Sequence, residues 1–145
     1  MKYSNDVVIN LPLDKVTELL DNPENMKHWQ PGLLSWELLT DKPGEVGSKI
    51  KLKYRMGKRE IGMVETIVKK ELPDHFDATY EAKGVYNIVS NRFQAVNENQ
   101  TRWVAENEFQ FTNLMMKIIG LLMPGSFKKQ SQLYLDKFKK FAESR

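Results

Sequence analysis

Glu65 is the residue that most invites a chemical reading. It stands in IGMVETIVKK, where apolar side chains occupy both faces of a strand-like alternation. A carboxyl turned into an apolar interior has a raised pKa and can give or take a proton. Its facing depends on the turn before it. With four turn residues, Gly57 to Glu60, Met56 pairs with Ile61 and Glu65 points inward opposite Leu52; a three-residue loop sends it to solvent. Carboxylates mostly stay in water, so an outward Glu65 is the expectation.

The other polar groups that matter are Tyr54, Tyr80, Asn91, Asn107 and Tyr134, each set in an apolar run. Sparse polar groups on an apolar wall orient the polar end of a ligand. Asn91 and Asn107 have an equally good use as a pair bonded to each other, or to an internal water. His28 and His75 fall in expected turns with no metal-ligand spacing between them, and read as surface histidines. Phosphate loops, nucleophile elbows and metalloprotease motifs are missing, so neither catalytic residues, a metal nor a cofactor is expected.

Elements to position these groups follow from periodicity. Tyr3, Asn5, Val7 and Ile9 share one face of a first strand, and Pro12 opens a short amphipathic helix with Val16, Leu19 and Leu20 as its stripe. Pro23 stops that helix, a second turn of helix spans Asn25 to Trp29, and QPG leads to a strand from Ser35 to Thr40. Five further strands follow: Ser48 to Met56, Ile61 to Glu71, Phe76 to Ala82, Val85 to Val96 and Thr101 to Phe111. Residues 113 to 145 are helical in pattern, interrupted at Pro124-Gly125. Strands joined largely by turns form an antiparallel meander, and only the long C-terminal helix can cover its apolar face.

Two turns fix which side chains share that face. Lys83-Gly84 as a two-residue turn sets Ala82 opposite Val85, Tyr80 opposite Asn87 and Ala78 opposite Val89. A three-residue loop of Glu98, Asn99 and Gln100 sets Asn97 opposite Thr101, Phe93 opposite Ala105 and Asn91 opposite Asn107. Both agree on an inward face that carries Phe76, Ala78, Tyr80, Val89, Phe93, Trp103, Phe109 and Phe111, with Asn87, Asn91 and Asn107 among them.

At 145 residues, with 41% hydrophobic and 28% charged residues, the chain suits one folded domain spanning 1–145. It lacks cysteine and opens without an apolar leader, so a cytoplasmic protein is expected. A net charge of +3 does not point to nucleic acid. The basic run Lys49, Lys51, Lys53 and Arg55 is the solvated face of its strand, or a surface for an anionic membrane or an acidic partner. In NLMMKIIGLLMPGSF, Met115, Met116, Ile118, Ile119, Leu122 and Met123 exceed one helix stripe. They describe a helix buried on two sides, or an adaptable cavity wall or gate that touches a ligand or, peripherally, a membrane.

The chain resembles the START/polyketide cyclase-like superfamily, whose helix-grip fold is shared with pathogenesis-related allergens. The resemblance rests on INLPLDKVTELLDNPENMKHWQPGLLSWELL, PGEVGSKIKL, GMVETIVKKELPDHF, NQTRWVAENEFQF and the closing LDKFKKFAES. It implies an α+β fold: a curved antiparallel sheet of about seven strands around a long C-terminal helix, with two short helices after strand 1. Trp29 then packs inward, as a cap on a cavity or simply as core. The family holds binders, cyclases, lipid carriers and chaperone activators, so fold alone leaves activity open. The expectation is a small apolar ligand bound between sheet and helix, lined by Trp29, Tyr54, Tyr80, Asn91, Trp103, Asn107, Met115, Ile119 and Tyr134. A cyclase- or dehydratase-like enzyme using Glu65 or a tyrosine, and a chaperone-activator-like partner protein using the basic strand, are the alternatives. Oligomeric state, monomer or dimer, is not legible.

Overall fold

A computed structural model describes all 145 residues. The strands are β1 (Lys2–Ile9), β2 (Leu33–Leu38), β3 (Lys49–Met56), β4 (Arg59–Glu71), β5 (His75–Ala82), β6 (Val85–Asn97) and β7 (Gln100–Phe111). Between β1 and β2 lie α1 (Leu13–Asp21), a 3-10 turn at Pro23–Asn25 and the single-turn α2 (Met26–Trp29); α3 (Leu114–Leu122) and α4 (Pro124–Glu143) close the chain. One antiparallel sheet takes the order β1-β7-β6-β5-β4-β3-β2, with the first two strands at opposite edges. The expected α+β helix-grip architecture is what the sequence forms.

The helical pattern breaks where proline and its neighbours demand it. Asn22 caps the 3-10 turn by accepting from the Glu24 amide at 3.0 Å, and Asn113 caps α3 by accepting from the Met116 amide at 2.8 Å. Pro124 begins α4 directly after the Met123 bend, so the C-terminal helix is two helices. β2 begins at Leu33, two residues before the expected start, because Gly32 turns the chain out of α2 at φ +77°. A Cβ there would lie 2.4 Å from the Arg55 carbonyl oxygen. Gly32→Ala is therefore expected to cost about 2 kcal/mol of stability, read as a lower urea midpoint at unchanged slope. A cost near zero would mean that β2 shifts freely.

The core gathers where α4, α2 and the β6–β7 hairpin meet. Phe138 sits edge-on to Trp29 (centroids 5.2 Å) and Trp103 (5.4 Å), and Phe93 stacks on Trp103 at 5.8 Å. Leu135, Phe138 and Ala142, at helical spacing, are all buried. α4 is laced to β1 by polar bonds: Tyr3 to Ser131 at 2.6 Å, Asn5 Nδ2 to Gln132 Oε1 at 2.9 Å, and Lys139 Nζ to the Val8 carbonyl at 2.6 Å.

Register departs from expectation at two turns. β3 and β4 are joined by two residues, Gly57 and Lys58, so Ile50 faces Glu65 and Leu52 faces Met63. This puts Glu65 on the inner face, which overturns the outward expectation. β6 and β7 are joined by a two-residue turn with a bulge between Ala95 and Asn97, so Phe93 faces Trp103 and Asn91 faces Ala105. The inner face is as expected, but Asn91 and Asn107 are not partners. His75 also differs: it belongs to β5 and is half-buried, 2.6 Å from Asp77.

Candidate functional site

The pairing of β4, β5 and β6 sets Glu65, Tyr80 and Asn87 side by side on the inner face of the sheet. The Asn87 amide donates to Asn107 Oδ1 at 3.2 Å, which extends the polar row to β7. Around it the inner face is apolar: Ile50, Met63, Ile67, Ala78, Val89 and Phe109. Tyr54 on β3 donates to Gln30 Oε1, which ties this wall to the end of α2.

Electrostatics single out the carboxyl. Burial pushes Glu65 above its ordinary range, and hydrogen bonding from Tyr80 only partly offsets this. Glu65 takes part in none of the ion pairs. Burial also raises Tyr80, with the nearby Glu65 charge adding to the effect. Tyr54 is raised by burial first and then by Tyr134 and Glu65, and Tyr134 is raised by burial. All three tyrosines thus stay neutral hydrogen-bonding groups, gathered around one carboxyl with an increased appetite for a proton.

Glu65, Tyr80, Asn87 and Tyr134 are enclosed, yet each is only half-buried. Groups desolvated by their surroundings that still keep accessible surface are placed to meet a polar group brought to them.

The remaining candidates divide by position. Trp29 and Trp103 belong to the aromatic core around Phe138. Asn91 accepts from Trp103 Nε1 at 2.9 Å, so this amide is spent holding the indole. Ile119 is half-buried on α3, while Met115 is turned outward and exposed. Glu65 was expected to face away, and Asn87 had been read only as an inward amide. The signal for Glu65 was the two-residue length of the Gly57-Lys58 turn, where Gly57 at φ +63° takes the first position of a tight hairpin, while the facing of Asn87 follows from the Lys83-Gly84 turn.

The basic face of β3 is exposed and interleaved with Glu60, which lies 3.3 Å from Arg55 and 3.9 Å from Lys53. A separate open groove of about 680 Å³ lies at the elbow between α3 and α4, lined by Leu122, Met123, Lys128 and Lys129 among others, and includes none of the carboxyl–tyrosine cluster. No helix is long and apolar enough to cross a membrane.

A curved seven-stranded sheet gripping a C-terminal helix over a half-open polar row defines a helix-grip protein. The family model for polyketide cyclase/dehydrase and lipid transport matches residues 1–143, and the chain belongs to that family. Among solved structures it is similar to the Zhui aromatase/cyclase of Streptomyces sp. R1128, at 14% identity and TM-score 0.82 over 100% of this chain and 94% of that one. It is similar to a conserved protein of Geobacillus kaustophilus, at 14% identity and TM-score 0.81 over 99% and 96%. The allergen Ara h 8.0201 shares the fold at 11% identity and TM-score 0.76 over 100% and 99%. No curated protein matches.

Proposed function

We propose that this chain binds one small, largely apolar molecule between the inner face of the sheet and α4, and serves to carry or sense it. The observation that supports this is the Glu65–Tyr80–Asn87 row: a carboxyl without a cation, set between neutral donors on an apolar wall. The ligand's apolar body would lie along Ile50, Met63 and Val89, and its hydroxyl or carbonyl end would meet Glu65 and Tyr80. Tyr54, Tyr134 and Asn107 border the same space; Trp29, Trp103 and Asn91 would form its rigid floor, and Ile119 its α3 side. A cytoplasmic setting fits a chain without cysteine.

Native mass spectrometry of the purified protein, followed by denaturation and extraction, tests this reading. A discrete added mass that is released as an apolar compound is the expected result. A bare chain mass, together with no uptake of a fluorescent anilinonaphthalene sulfonate probe, would overturn it.

A second reading is favoured by Glu65 itself. A carboxyl with raised proton affinity is fitted to protonate a departing hydroxyl and then to take a proton back, as a dehydratase needs. In that case Glu65→Gln keeps ligand affinity within a few-fold while turnover falls by about a hundredfold or more. Equal loss of both would leave Glu65 a binding group.

A further inference from the structure

α3 presents its apolar residues to the outside. Leu114 is 73% exposed, Met115 66%, Leu121 80% and Leu122 73%, and Ile118 and Met123 are also exposed. The helix touches the sheet through a narrow strip. Gly120 lies against the Phe111 ring, and Met116 and Asn113 lie against Gly84 at the β5–β6 turn. Five large apolar side chains on one short helix, with Met123 at its C-terminal cap, form a patch of the kind that monomeric soluble proteins rarely leave open.

The charge around this patch is one-sided. From Phe109 to Leu135 no acidic residue occurs, while Lys117, Lys128 and Lys129 do. Lys117 stands one turn before Leu121 on the same helix face. Lys128 and Lys129, in the first turns of α4, share the elbow groove with Leu122 and Met123. Alternation of the antiparallel strands brings the β3–β4 turn to the same end of the sheet as α3 and the β5–β6 turn, adding Lys58, Arg59 and Lys83. Two acids stand near this end: Glu60, which is paired with Arg55 and Lys53, and Glu81, which faces Tyr86 on the outer surface.

We infer that α3 is a docking element for an anionic phospholipid bilayer. Leu114, Leu121 and Leu122 enter the headgroup–acyl boundary, while Lys117, Lys128 and Lys129 meet lipid phosphates. An apolar helix face rimmed by lysines binds in the plane of such an interface by joining apolar burial to attraction for the negative leaflet. Docking this way seats the α3 end of the sheet on the lipid, so an apolar ligand passes between bilayer and protein without crossing water. The docking itself stands without the ligand-binding reading, since it needs only α3 and its lysines.

Vesicle co-sedimentation tests it, using phosphatidylcholine alone and phosphatidylcholine with about one-third phosphatidylglycerol. The native chain should bind the anionic vesicles at least tenfold more strongly, and added salt should weaken that binding. Leu121→Ser with Leu122→Ser should cost tenfold or more on anionic vesicles, and Lys128→Glu with Lys129→Glu should erase the lipid preference. These side chains are exposed, and unchanged near-UV circular dichroism of both variants confirms that they remain folded. Equal binding to both vesicle types, or none, would overturn the proposal. So would a native dimer that the serine pair dissociates while vesicle binding stays as it was, because the face would then belong to a second copy of the chain.

Discussion

Phe138→Ala is expected to lower the free energy of unfolding by about 3–5 kcal/mol, with the transition temperature falling by about 10–15 °C. Phe138 is fully buried and contacts both Trp29 and Trp103 edge-on. Its removal takes away the ring that joins α4 to α2 and to the β6–β7 hairpin at once. Neighbours cannot collapse into the gap easily, because Trp103 is held by its indole bond to Asn91. Urea titration should show a lower midpoint at unchanged slope, which marks lost stability rather than an altered unfolded state. Leu133→Ala, on the outward side of the same helix, should cost less than about 0.5 kcal/mol. A Phe138 loss below about 1 kcal/mol would show that α4 is not docked through this cluster.

Glu65 should leave a pH signature on stability. Its folded pKa is raised by burial, so the native state holds this proton more tightly than the unfolded chain. Stability therefore falls as pH rises, from the ordinary carboxylate value of about 4.3 up through the raised folded value. Below that window the penalty is absent; above it the penalty is complete. Glu65→Gln should flatten this slope and gain stability relative to the native chain as pH rises through the window, because the amide has no proton to lose. Tyr80→Phe should act in the opposite sense. It removes a hydrogen bond that lowers the carboxyl's pKa, so the window extends to higher pH. Urea unfolding at stepped pH checks both, and parallel curves for native and Glu65→Gln chains would mean that the carboxyl is solvated.

The hairpin at Lys83-Gly84 was legible because Gly84 alone supplies the positive φ that a tight turn needs there. The next hairpin was harder. A bulge at Val96 and a two-residue turn slid the partners by two positions, and a slip of two preserves which face each side chain takes. The inner face was therefore read correctly, while Asn91 gained Trp103 and Asn107 gained Asn87 as partners instead of each other. Glu65 depended on an odd or even count of turn residues, and a single count inverts the whole strand. Apolar residues on both faces of β4 hid that choice. For α3, composition showed a surplus of apolar surface, but which part the sheet covers is settled only by the contact of Gly120 with Phe111.

The strand order carries a further consequence, in time rather than in space. β1 is the first strand made, yet its only partner is β7, with Lys2 opposite Glu108 and Ile9 opposite Thr101. During synthesis β1 therefore emerges with no partner and must wait for nearly the whole sheet to leave the ribosome. Its side-chain ties to α4, from Tyr3 to Ser131 and Asn5 to Gln132, wait longer still. Pairings of such long sequence separation close a large loop of chain before they return any stability, which places them late in folding. Until then the N-terminal strand is an open edge, and holding it apart from other nascent chains falls to the cell.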